Sequence, residues 1–200
     1  MNERFFELKK EKQDRIINAA LKVFSEYGYS HASTDEIVKT ARISKGLLFH
    51  YFINKIGLYA FLYDYATRFV TLELTSSDVT NESGFFELYK AILEAKVNSL
   101  SQFPYIFRFL KKADEESNME AVAEIFDRRD KYRRIMEALR ARADITIFAP
   151  GTDYDKIWDI LDFTVEGILE RNVKRDTFRA DLFMEEAMEY IEMIQKMVIT

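Results

Sequence analysis

Residues 33–58 read STDEIVKTARISKGLLFHYFINKIGL, and this stretch decides the fold. Two polar openings, Ser33-Thr34-Asp35-Glu36 and Ser44-Lys45, each precede a short run able to form a helix. Ser33 can cap the first run while Glu36 reaches back to complete a capping box, and Ser44 can cap the second. Helices are therefore expected over about 34–41 and 45–51, the latter running into Phe52, with a turn at Arg42-Ile43 between them. In the second helix Leu48 and Phe52 stand four apart and can face inward, which leaves Lys45, Leu47, His50 and Tyr51 outward. Two short helices joined by such a turn are the makings of a helix-turn-helix, whose second member is narrow enough to enter a major groove.

Upstream, Ile16, Ile17, Ala20, Leu21, Phe24 and Tyr27 recur at three- and four-residue steps and mark the inward face of a buttressing helix, which Gly28 is placed to end as a left-handed cap. Downstream, Asn54 is the expected cap of a long fourth helix with Leu58, Phe61, Leu62, Tyr65 and Phe69 inward. The polar stretch 75–84 reads as a loop. Further helices are expected over 85–102, from Pro104 to about 112, and over 117–143, 154–173 and 181–198. The turn and cap signal Pro150-Gly151-Thr152-Asp153 and a polar connection at 175–179 separate the last of them. The fold class is all-α, about nine helices, divided into a helix-turn-helix head at 1–53 and a helical body at 54–200.

Composition agrees and excludes much. Six glycines and two prolines among 200 residues favour long helices over turn-rich sheets. The absence of cysteine removes disulfides, thiolate nucleophiles and cysteine-held metals, and is in keeping with a reducing, cytoplasmic setting. Neither a signal peptide nor a membrane span is expected, because no stretch reaches the ~18 uncharged apolar residues that a span needs. The only histidines are His31 and His50, so imidazole bases and histidine-held metals are unavailable to the body, and no cofactor, metal or enzymatic activity is expected. Two alternatives stay open: carboxylate chemistry at Asp159, Asp162 and Glu166, whose spacing otherwise describes a solvated face, and a ligand carrier that ignores DNA. The net charge of −5 is unevenly spread: residues 1–55 hold ten Lys/Arg against seven Asp/Glu, leaving 19 against 27 for the rest. A basic head on an acidic body attracts phosphate at one end only.

The order of residues Ile17-Asn18-Ala19-Ala20, Phe24, Gly28-Tyr29, Thr34, Ile37, Ala41, Ile43-Ser44, Gly46, Phe49, Phe52, Lys55 and Leu58 closely resembles the TetR family of repressors. The resemblance covers about 45 residues and implies a ligand-responsive repressor that binds palindromic double-stranded DNA as a homodimer. It also implies roles. Thr34 would give its hydroxyl and N–H to a phosphate at a helix N-terminus. Lys45 and Gly46 would open the recognition helix; Leu47 would meet a thymine methyl, and Phe49 and His50 would pack on sugars and bases. Tyr51 and Lys55 would clamp the DNA backbone. Phe49 as core, His50 as a surface residue and Lys55 as a solvated lysine are the rival readings. Two positions depart from the family pattern. Arg42 stands where glycine is frequent, which implies strain if the backbone is left-handed, or an added phosphate contact. Ile56-Gly57 replaces an acidic pair.

In the body, the aromatic wealth between residues 85 and 163 suggests an apolar pocket for a small apolar or aromatic effector, with Phe107, Phe126, Tyr132, Trp158 and Phe163 as candidates. The last two helices carry apolar surface broad enough to pack on the body and on a twin. Leu161, Val165, Ile168, Tyr190, Ile191 and Ile194 are the dimer candidates, against the alternative of a monomeric core.

Overall fold

A computed structural model describes residues 3–75, 77–173 and 178–199. They form eleven α-helices and no strand, two more helices than expected. The chain divides into two compact units, residues 1–69 with 103–134 and residues 70–102 with 135–200. These units do not coincide with the segments 1–53 and 54–200, because residues 103–134 fold with the N-terminal helices.

In the first unit, α1 (Glu3–Phe6) is one of the unexpected helices. Its Phe5 is fully buried, with ring centroids 5.8 Å from Tyr51, 5.1 Å from Phe52 and 5.2 Å from Phe61. Gln13 fastens it to α2 (Lys10–His31) by donating to the carbonyls of Phe6 (3.1 Å) and Leu8 (2.7 Å). The expected stripe of α2 is buried at Ile16, Ile17, Ala20, Leu21 and Phe24, whereas Tyr27 is exposed. Gly28 does not end this helix: at φ 67°, ψ −178° it kinks it, and a last turn continues to His31. α3 (Thr34–Ala41) and α4 (Lys45–Phe52) follow at the expected places. α5 (Lys55–Leu74) is capped by Asn54, whose Oδ1 accepts the Gly57 N–H at 2.8 Å. Its inward side includes Leu58, Tyr59, Leu62, Tyr63 and Ala66, while Phe61, Tyr65 and Phe69 are only half-buried. α8 (Ile106–Asp114) lies on α2 through Phe109, which meets Phe24, Tyr59 and Tyr63 with centroids 5.6–6.3 Å apart. The first part of α9 (Met119–Arg140) completes the unit.

In the second unit, the stretch read as a loop at 75–84 contains a short helix, α6 (Ser77–Asn81), anchored by buried Val79. Guanidinium donation from Arg142 to the carbonyls of Thr80 (2.6 Å) and Glu82 (2.9 Å) holds the following turn, a long-range tie that local composition does not announce. α7 (Phe85–Gln102), α10 (Tyr154–Val173) and α11 (Ala180–Val198) match expectation. The polar connection expected at 175–179 falls mostly outside the described residues. Phe85, Tyr89, Phe148 and Trp158 form an edge-to-face cluster with centroids 4.8–5.4 Å apart, the geometry that aromatic quadrupoles favour.

Candidate nucleic-acid interface

The second member of the helix-turn-helix is α4. Ser44 caps it as expected, its Oγ accepting the Leu47 N–H at 3.1 Å. Leu48 and Phe52 are buried, which seats the helix and turns Lys45, Gly46 and His50 to the surface, with Leu47 and Phe49 half-exposed beside them. Tyr51 corrects the expectation of an outward clamp: it is 9% exposed, set edge-on against Phe5. The apolar partner comes from α1, a stretch whose alternating charges hid its one core residue.

Before α4, Thr34 is half-exposed at the first position of α3. The capping box does not form, since the Ser33 side chain makes no capping bond. The first turn of α3 therefore lacks the cap that Ser33 could give its N–H groups, and a helix N-terminus is a setting suited to an anion. Arg42 ends α3 in the left-handed region at φ 54°, ψ 51°, as feared for a non-glycine residue, and its side chain is exposed. Arg15, which lies next to the α2 stripe in sequence, closes this end by donating at 2.8 Å from Nε to the Ala41 carbonyl. Lys45 is engaged too: its Nζ lies 2.8 Å from Asp35 Oδ1, both side chains being more than half exposed. Such a pair is worth no more than ~1 kcal/mol and yields readily to a phosphate.

After α4 the chain turns sharply. Ile53, 82% exposed, has φ 66°, ψ −56°, and the Asn54 N–H donates to the Phe52 carbonyl at 2.7 Å across it. This is a positive-φ γ-turn, a strained form rarely adopted by a β-branched residue. The turn throws the Phe52 carbonyl towards α5, where a Cβ on residue 57 would stand 2.3 Å from it. Gly57 thus has a steric cause, since a Cβ there does not fit beside that carbonyl, whereas nothing in the structure explains Ile56. Lys55 is neither a solvated lysine nor directed wholly outward. Its Nζ donates to the carbonyls of Ser30 (3.3 Å) and Ala32 (3.2 Å) and lies 4.6 Å from the Tyr29 ring centroid. Burial holds its pKa below the ordinary lysine value, against the pull of Glu116 and Glu120.

Residues 16–61 match the family described as "Bacterial regulatory proteins, tetR family". Over that stretch the chain is similar to the TetR family. Among curated relatives, the HTH-type transcriptional regulator UidR of Escherichia coli (strain K12) is 50% identical over 44 residues, 22% of each chain. The chain spans about a fifth of the length of the first curated relatives it matches. Among solved structures, a TetR family transcriptional regulator from Chloroflexus aurantiacus J-10-FL superposes with a TM-score of 0.60 at 18% identity, covering 97% of this chain and 96% of that one. FadR from Bacillus subtilis, in complex with stearoyl-CoA, superposes with a TM-score of 0.56 at 18% identity, covering 90% and 96%. At these identities the likeness is one of fold. The helix-turn-helix head, followed by helices without strands among the described residues, is thus the TetR arrangement. Among those residues no helix is long and apolar enough to cross a membrane, and no cluster of His, Asp and Glu is disposed to hold a metal.

The remaining expected residues are scattered. Phe107, Phe126 and Tyr132 belong to the first unit, Trp158 and Phe163 to the second. Phe126 and Phe163 are exposed, at 55% and 72%, so the five do not form one wall. Trp158 does border a cavity of about 160 Å³ in the second unit, with Tyr89, Ile92, Lys96, Met136, Glu137, Arg140 and Asp162. Tyr89 donates to Asp162 at 3.0 Å, and Arg140 is held by Asp155 (2.9 Å) and Asp159 (3.0 Å) and lies 5.7 Å from the Trp158 ring centroid. Of the dimer candidates, Leu161, Val165, Ile168 and Ile191 are buried within their own unit, Tyr190 is exposed and Ile194 is half-buried. The outward apolar stripe runs instead through Ile160 and Phe163 of α10 and Leu182, Tyr190, Met193 and Met197 of α11. Sequence periodicity found the two apolar helices but not which side their own core claims.

Proposed function

We propose that the protein is a DNA-binding transcriptional regulator that places α4 in the major groove. The observation that carries this reading is the sidedness of α4: three large residues seat it, and the face bearing Lys45, Gly46, Leu47, Phe49 and His50 is left accessible on a rigid, capped helix. In this reading Lys45 exchanges Asp35 for a base edge or phosphate, Leu47, Phe49 and His50 meet bases and sugars, and Thr34 and Arg42 meet phosphates. Lys55 contributes chiefly by holding residues 30–32 against the start of α5. The stripe Ile160, Phe163, Leu182, Met193 and Met197 is the surface that joins two copies, so that two heads meet successive grooves ~34–36 Å apart.

The effector is small, with its apolar part against Ile92, Met136 and Trp158 and a polar end at Tyr89 and Asp162. The cavity is below the ~300–1,000 Å³ of drug-sized sites, and its charged rim tempers the expectation of a purely apolar ligand. FadR, bound to stearoyl-CoA, lends the general precedent of a small-molecule complex on this fold. Binding of an effector that favours a head arrangement unsuited to DNA represses less and releases the operator, with reciprocal weakening of the two affinities. Selection of bound duplexes from a randomised pool tests the reading. A palindromic consensus is expected; recovery of unselected sequence at moderate salt contradicts it.

A further inference from the structure

Helix α2 carries a break that its own hydrogen bonds do not mend. At Gly28 the chain leaves helical geometry, and the Tyr29 N–H donates at 2.8 Å to Oε2 of Glu116, in the loop between α8 and α9. Oε1 of the same carboxylate accepts the N–H groups of Ser117 (3.0 Å) and Asn118 (2.9 Å), and Asn118 Oδ1 caps α9 through the Ala121 N–H at 3.1 Å. One carboxylate therefore joins the kink of α2 to the start of α9. The positive φ calls for glycine, and a Cβ at residue 28 would stand 3.3 Å from Oε2, tight against it. Burial acts to raise the Glu116 pKa, but the three N–H donors outweigh it and hold the group below the usual carboxylate range. The Tyr29 hydroxyl adds a second tie, 3.3 Å from Glu120 Oε2 on α9.

The segment held in this way also holds Lys55, through the Ser30 and Ala32 carbonyls and the Tyr29 ring. Lys55 opens α5 directly after the γ-turn that ends α4. The chain of contacts thus runs from the α8–α9 loop through Glu116 to residues 29–32, and from there through Lys55 to the end of α4.

We propose that Glu116 is a positioning residue for DNA reading: through the kink at Gly28-Tyr29 it lets the α8–α9 loop set where α4 is presented. This rests on α4 being the DNA-reading helix. The test is Glu116→Gln, of equal size but with one acceptor oxygen in place of two, so that either the Tyr29 side or the α9 side must be given up. Affinity is measured at a temperature where circular dichroism shows the variant folded. Three duplexes are used: the one that the unaltered protein selects, the same with one base pair inserted between its halves, and one of random sequence. The expected result is about tenfold weaker binding to the selected duplex, less than a twofold change on the random one, and a smaller penalty for the insertion. A merely structural lesion would lower all three together; that result, or unchanged affinity and spacing preference, overturns the proposal. Should the glutamine variant not fold, Glu116→Asp, which keeps the charge but withdraws it by one methylene, is judged on the same three duplexes by the same criteria. Failure of the unaltered protein to select any duplex would instead sink the DNA-reading assignment, and this proposal with it.

Discussion

Ile53 and Gly57 form a matched pair in which one residue is strained and the other makes room. A β-branched side chain in a positive-φ γ-turn costs on the order of 1–3 kcal/mol, and glycine relieves it. Ile53→Gly should therefore raise the urea midpoint, whereas Gly57→Ala should lower stability by more than about 1 kcal/mol, because the atom its methyl meets is a backbone carbonyl that cannot swing aside. Asp35 is the other informative position. Its carboxylate occupies Lys45 and sits beside the proposed phosphate seat at Thr34. Asp35→Asn should tighten binding to any duplex several-fold, most at low salt, in fluorescence-anisotropy titrations. Local signals were legible at this scale: Ser44 and Asn54 cap as their side chains suggest. Ser33 does not, and nothing in its neighbourhood announces this. The burial of Tyr51 is not legible in this way, because helical spacing says nothing of a partner arriving from α1.

The head helices are held in part by cations spent on carbonyls. Arg15 closes α3, Lys55 closes α2, and each meets oxygens at a helix C-terminal end, where the backbone dipole favours positive charge. Lys55→Met should lower the unfolding midpoint of the protein, and the resulting loss of DNA affinity should exceed what removal of one phosphate contact explains, with little change in salt slope. A slope reduced by about 1 would return Lys55 to the DNA backbone. The acid limb of the stability curve belongs here as well. Glu116 has its pKa depressed in the fold, so its contribution is complete above the unfolded value of 4.5 and is lost as pH falls through the lower folded value. Glu116→Gln should flatten that limb. Helix positions were legible to within a few residues from periodicity and caps. The kink at Gly28 and the short helix α6 were not, because a distant carboxylate stabilises the one and a distant arginine holds the turn after the other.

Across the molecule, the sequence showed that α10 and α11 carry more apolar surface than one side can bury, yet it could not divide that surface. Leu161, Val165, Ile168 and Ile191 serve the chain's own core, and Phe163 and Met197, each 72% exposed, stand on the outer side. Phe163→Glu with Met197→Glu should yield a folded monomer in sedimentation velocity, whereas Val165→Ala should lower stability without separating copies. The central claim is that the exposed face of α4 reads sequence. It is tested most directly by the ratio of affinities for the selected and a scrambled duplex, measured for the unaltered protein and for Lys45→Ala at the same ionic strength. A ratio of ~10³ or more, cut about tenfold or further by the substitution while helicity is unchanged, is the predicted result. A ratio near one for the unaltered protein, or one that Lys45→Ala leaves intact, would contradict it.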